Sequence, residues 1–159
     1  MRTPTLHIDP QHTTISHQDS QGLVLHDSIA LGSGNVLPST AMPPGAAAME
    51  MAIMTVEDAI SATWRQPFAS PSLYSDDPAI RQLAHLAGLD GTQPSISREA
   101  VERLFSRLAS MVEGLPASAV GLPLDATLFG SLLILRELMH HTGISTILLP
   151  SATRADSHQ

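Results

Sequence analysis

Residues 5–31 alternate between apolar and polar side chains, and that alternation restricts the chain to folds that open with antiparallel strands. In TLHID, Leu6 and Ile8 fall on one face and His7 and Asp9 on the other. Residues 13–18 alternate again. Gln18-Asp19-Ser20-Gln21-Gly22 reads as a hairpin turn, and residues 23–31 (LVLHDSIAL) read as a third strand that Gly32-Ser33-Gly34-Asn35 breaks. The opening therefore predicts a three-stranded meander, with Asp9-Pro10-Gln11-His12 as its first turn.

Beyond residue 38 the period changes to that of a helix. Met49, Ile53, Val56, Ile60 and Trp64 recur at helical spacing, which predicts a helix over 46–64 that Pro67 and Pro71 close. PSLYS, residues 71–75, reads as a short strand. Asp77-Pro78 reads as a helix start with Asp77 as the cap, and Gly88 as the stop. Ser97 caps a further helix, with Ile96 and Val101 as a staple across the cap and an apolar stripe from Val101 to Val112. A Pro-rich link, 115–123, precedes a last helix over 125–142, closed by Gly143, and a buried strand over 144–149. The order β-β-β-α-β-α-α-α-β predicts an α/β fold: a mixed sheet with helices on its faces, in which the meander is followed by α-β-α-β. It resembles the ribonuclease-H-like half-domain of the actin and sugar-kinase fold. We expect a single domain over 1–159, with a core over 5–150 and a polar tail over 151–159.

Composition removes several classes of function. There is no cysteine, which excludes disulfides, thiolate metal sites and cysteine catalysis. All eight basic residues are arginines, so a phosphate-loop lysine and a Schiff base are excluded as well. The formal charge of −7, with no basic run, argues against a nucleic-acid partner. The N-terminal stretch lacks the apolar core of a signal peptide, and LFGSLLIL is far shorter than the roughly 20 apolar residues a bilayer demands. The expectation is a soluble, cytoplasmic protein without a membrane partner.

Two stretches carry a family resemblance. SISREAVERLFSRLASM, followed by GLP and DATLFGSLLILRELMHHTGISTILLPSATRADS, is similar to the second domain of the exopolyphosphatase and guanosine pentaphosphate phosphohydrolase (Ppx/GppA) family. LHIDPQHTTISHQDSQGLVLHDSIALGSGNV resembles the opening of that domain, so the likeness runs over nearly the whole chain. The resemblance implies hydrolysis of phosphoanhydride bonds with a divalent metal, in a cleft between two domains. Asp9 matches the family's opening acid and Thr13 or Thr14 its hydroxyl residue. The glycines of its phosphate loop, however, are replaced by Pro10, Gln11 and His12. Proline offers no N–H to a phosphate, and the side chains of Gln11 and His12 crowd the turn. The family's second glycine turn reads here as Ser75-Asp76-Asp77-Pro78, whose carboxylates repel phosphate unless a cation bridges them. The Arg and Asp expected before the last helix read as Asp125 and Thr127, the closing GLREG is reduced to residues 152–156, and the first domain has no counterpart.

These departures predict a stand-alone second half that has lost catalysis and acts through a protein partner or as a homodimer, with no cofactor. The Met-rich helix, with Met49, Met51 and Met54, is the candidate interface, because methionine adapts to varied contacts. An alternative reading keeps a phosphoanhydride hydrolase or a polyphosphate or nucleotide binder that works in an assembly. Asp9, with Asp76 or Asp77, would then hold Mg²⁺ or Mn²⁺, and Thr13 or Thr14 would touch phosphate. A third reading is a small metal-binding protein using His7, Asp9, His12 and His17. Against these stand plainer roles: surface histidines on a strand and turn, Asp77 as a helix cap, Ser33 as a loop residue with no triad around it, and His140-His141 complementing a helix dipole.

Overall fold

The computed structural model describes residues 3–38, 41–89 and 94–151, so the predicted tail beyond Ser151 and the motif at 152–156 lie outside the described residues. The alternation of the opening residues produces three strands, β1 (Thr5–Ile8), β2 (Thr13–Gln18) and β3 (Val24–Ile29). They pair antiparallel, with His7 opposite Thr14 and Thr13 opposite Ile29. The second hairpin closes as its sequence suggests. Asp19 accepts the amides of Gln21 and Leu23 through its side chain, and Gly22 supplies the positive φ of 83°.

The remaining elements are α1 (Ala46–Thr63), β4 (Ser72–Tyr74), α2 (Pro78–Leu86), β5 (Ser95–Ser97), α3 (Arg98–Val112), α4 (Ala117–Val120), α5 (Ala126–Thr142) and β6 (Thr146–Leu148). One six-stranded sheet runs β3-β2-β1-β4-β6-β5. β4 lies parallel to β1 and β6 parallel to β4, which is the extension of the meander that a ribonuclease-H-like half-domain requires. The sequence reading missed two elements. β5 adds an antiparallel edge beside β6, with Ile96 opposite Ile147. Three residues are too few to display a period, and Ile96 serves as a strand residue whose neighbour Ser97 caps α3 by accepting the amide of Ala100. α4 is a single turn inside the Pro-rich link, closed by Gly121 at φ 75°.

α5 is the hub of the helical layer and packs against α1, α2 and α3. Its residues from Leu128 to Leu135 are all buried, as are Glu137, Leu138 and Met139. Such a helix has no solvent face to spare, so its sequence is apolar nearly all round. Asp125 caps it through the amides of Thr127 and Leu128, and Gly143 closes it at φ 75°. α1 contributes Met49, Ala52, Val56 and Ile60, and α3 contributes Val101, Leu104, Leu108 and Met111. Among the described residues no helix is long and apolar enough to cross a membrane.

Gly130 is where α5 meets the loop after β3. A Cβ placed there would lie 2.5 Å from the carbonyl oxygen of Ser33. Alanine is favoured over glycine within a helix by about 1 kcal/mol, yet here it would push two backbones apart. Gly130→Ala is expected to destabilise the fold by about 1–3 kcal/mol, read from urea unfolding followed by the fluorescence of Trp64, the only tryptophan.

Candidate functional site

Asp9 folds its carboxylate back into its own turn. Oδ1 accepts the amides of Gln11 and His12, each at 2.7 Å. The amide of Asp9 donates to the His12 carbonyl at 2.9 Å, and Pro10 has no N–H. Every amide of residues 9–12 is therefore either spent inside the turn or missing. The bonds from Gln11 and His12 hold the Asp9 carboxyl below the usual carboxylate range. The side chain occupies the place a bound anion would take against those donors.

The loop after β3 clamps this turn. Ser33 donates its amide to the Asp9 carbonyl at 3.0 Å, and Gly34 donates to the Pro10 carbonyl at 2.8 Å. Asn35 accepts the amide of Gly32 and donates to the carbonyl of Gln11. Gly32 approaches so closely that a Cβ would meet the Asp9 oxygen at 2.1 Å. Ser33 is buried inside this clamp. The glycines that sequence reasoning treated as strand breakers thus make a close backbone approach possible.

Thr13 is fully buried, and its hydroxyl donates to the Leu31 carbonyl at 2.8 Å. Thr14 stands opposite His7 and is part-exposed. His12 lies 3.8 Å from Asp9, too far for a hydrogen bond, and His17 pairs with Asp27 at 3.0 Å across β2 and β3. His7 and His17 project from opposite faces of the sheet, because residues opposite each other in an antiparallel pair share a face and alternate residues do not. The four N-terminal candidates His7, Asp9, His12 and His17 therefore do not converge.

The structure instead brings His7 to Asp76 and Asp77, whose ligand atoms lie within 4.8 Å of one another. Asp9 is not part of that group. Asp77 stands at the cap position of α2, but its side chain makes no capping bond, which corrects the sequence reading. Its Oδ2 accepts the amide of Ile8 at 2.7 Å and its Oδ1 meets His7 Nδ1 at 2.6 Å. The reason lies in the register. β1 meets β4 only at Thr5 and Tyr74, so at Ile8 no β4 backbone remains to accept the N–H, and the buried carboxylate supplies the acceptor. A cleft of about 620 Å³ opens beside Asp76, with Arg81, His85 and Leu149 in its walls.

A second group escaped sequence reasoning. Glu137 is 2% exposed on α5, and its Oε2 accepts from Arg136 Nη1 at 2.8 Å. Arg136 also reaches Glu102 at 3.1 Å and lies 4.4 Å above the Phe105 ring. Burial pushes the Glu137 carboxyl up, the Arg136 guanidinium pulls it back, and the neighbouring Glu57 carboxyl raises it again, leaving it above the ordinary range. His140 meets Glu102 at 2.8 Å, and His141 faces Glu57 and Glu137. Both histidines are thus engaged with carboxylates as well as placed in the last turn of α5. The visible signal was Glu137 and His141 at i, i+4 on one helix face. Among the methionines, Met49 is buried, whereas Met51 and Met54 are 60% and 63% exposed.

Two outcomes follow. Asp77→Ala strands the buried amide of Ile8 and should cost about 1–3 kcal/mol in urea unfolding. Asp9→Ala removes an acceptor whose folded pKa is lowered. Its stabilisation is present above the unfolded carboxylate pKa and is lost as pH falls through the lower folded value. The wild-type advantage over Asp9→Ala should therefore be full at neutral pH and shrink below about pH 4, measured by urea unfolding across pH.

No protein-family model matches the chain, and no curated protein matches it either. Solved structures do. Three solved structures of Aquifex aeolicus Ppx/GppA proteins, one of them described as a phosphatase, superpose on it with TM-scores of 0.68, 0.70 and 0.66, at 10%, 11% and 9% identity. Each covers 94% of this chain, which in turn covers 53%, 53% and 52% of theirs. The chain thus spans about half the length of the structures it matches, and at this identity the likeness concerns the fold: the protein has the fold of one half of a Ppx/GppA phosphatase.

Proposed function

We propose that this protein is a Ppx/GppA-like domain that no longer hydrolyses phosphoanhydride bonds and works by contact with a protein partner or a second copy of itself. The observation that carries the reading is the turn of residues 9–12. A phosphate loop needs free amides or a nearby cation, and here Asp9 already takes both available N–H groups while Pro10 has none to give. Thr13 is likewise committed to Leu31. Met51 and Met54, exposed one turn apart on α1, supply an adaptable apolar surface of the kind a partner covers.

A second reading is favoured by the His7–Asp76–Asp77 group and the adjoining cleft with Arg81. There Mg²⁺ or Mn²⁺ on the two acids would offset their charge and admit polyphosphate or a nucleotide, and an assembly partner would close the site. It ranks second because both oxygens of Asp77 are already engaged.

Calorimetric titration with polyphosphate and with ATP, each with and without Mg²⁺ or Mn²⁺, separates the two, with light scattering on the same sample. We expect no binding heat and a mass of two chains or more, reduced to one chain in Met51→Asp/Met54→Asp. Metal-dependent binding lost in Asp76→Ala would overturn the first reading in favour of the second. A monomer without binding would overturn self-association.

A further inference from the structure

Glu57 on α1 and Glu137 and His141 on α5 meet at the junction of the two helices. Their ligand atoms all lie within 4.8 Å of one another. His141 Nε2 is 3.8 Å from Glu57 Oε1 and 3.9 Å from Glu137 Oε1. Those separations are too long for hydrogen bonds. They are slightly longer than the roughly 3.4 Å between neighbouring ligand atoms that bonds of about 2.1 Å give in a tetrahedral site. Small side-chain rotations would close the difference, since Glu57 and His141 are both partly exposed.

Glu137 points independently to a ligand. It is 2% exposed, and it is the one charged side chain among the buried residues of α5, whose other buried polar groups are the hydroxyls of Ser131 and Thr142. Its Oε2 is matched by Arg136, its Oε1 is turned toward the imidazole of His141, and the ligand atoms of Glu57 and Glu137 lie within 4.8 Å of each other. Two carboxylates this close, one of them buried, repel each other unless positive charge lies beside them. The charges around them favour a cation. Arg136 is already shared with Glu102, and His140 is also on Glu102, so Glu57 and Glu137 together retain charge for a divalent ion to balance. The His7–Asp76–Asp77 group differs, because Asp77 there spends one oxygen on the Ile8 amide and the other on His7.

We propose that Glu57, Glu137 and His141 bind one divalent first-row transition-metal ion of the Zn²⁺ class, as a structural link between α1 and the last turn of α5. One imidazole and two carboxylates suit such an ion better than Mg²⁺ or Ca²⁺, which prefer oxygen alone. The partial exposure of Glu57 and His141 gives the ion a path in. A bound ion would add to stability by mass action, since the three ligands are dispersed when the chain unfolds.

The test is calorimetric titration of the tag-free, chelator-treated chain with Zn²⁺ and, separately, Mg²⁺. The melting temperature would be measured with and without Zn²⁺, and visible absorption recorded after Co²⁺ addition. We expect one Zn²⁺ per chain, little response to Mg²⁺, a higher melting temperature with Zn²⁺, and a Co²⁺ spectrum of low-symmetry N,O coordination. Glu57→Gln and His141→Ala change partly exposed side chains and should leave the fold intact by circular dichroism. Each should weaken Zn²⁺ binding about tenfold or more, since even the loss of a group supporting a metal ligand costs that much. His7→Ala should leave it unchanged. No Zn²⁺ binding would overturn the proposal. Binding that survives both substitutions, or that is lost in His7→Ala, would overturn it as well.

Discussion

The burial of α5 is the constraint on which the rest of the structure depends. A helix enclosed by α1, α2 and α3 can expose little, so most of its residues are apolar and its one buried charge needs a specific partner. Gly130 is small because the Ser33 carbonyl lies against it. That contact sets the height of the Gly32–Val36 loop, whose amides in turn hold the turn of Asp9. At the other end the same burial takes in Glu137, which is tolerated because Arg136 reaches it, and Arg136 is itself positioned by Glu102 and the ring of Phe105.

The turn of residues 9–12 shows how one set of donors can serve two ends. Backbone amides converging at the end of a strand are suited to an anion. When the anion is a side chain two residues away, the turn becomes rigid and self-contained. Three features work in this direction together: the Asp9 carboxylate on two amides, Pro10 with no amide, and two backbone bonds from Ser33 and Gly34. The proposal of a domain released from phosphate chemistry rests on that local arithmetic of donors and acceptors.

Local patterns were legible in the sequence, and non-local ones were not. The meander, the cap of α3 by Ser97 and the closure of α5 by Gly143 each follow from a few neighbouring residues, and the structure has them. The order of elements also carried the fold. β5 went unseen because its three residues become a strand only through pairing with β6. Asp77 looked like a helix cap because the sequence places it before Pro78. Its actual partners, His7 and Ile8, are about seventy positions away and become available only because β1 outruns β4. Glu57 joins Glu137 and His141 across eighty residues, a meeting that no local period reports.

The central claim is that the amides of the 9–12 turn are already taken, and the most direct measurement is of those amides. In ¹H–¹⁵N NMR spectra recorded across pH, the Gln11 and His12 resonances should titrate together with a midpoint below the ordinary range for an aspartate, because both bond to Asp9 Oδ1. They should not move when tripolyphosphate is added at neutral pH, with or without Mg²⁺. Resonances of Gln11 and His12 that ignore the ionisation of Asp9, or that shift in a saturable way with tripolyphosphate, would contradict the account and return the turn to phosphate binding.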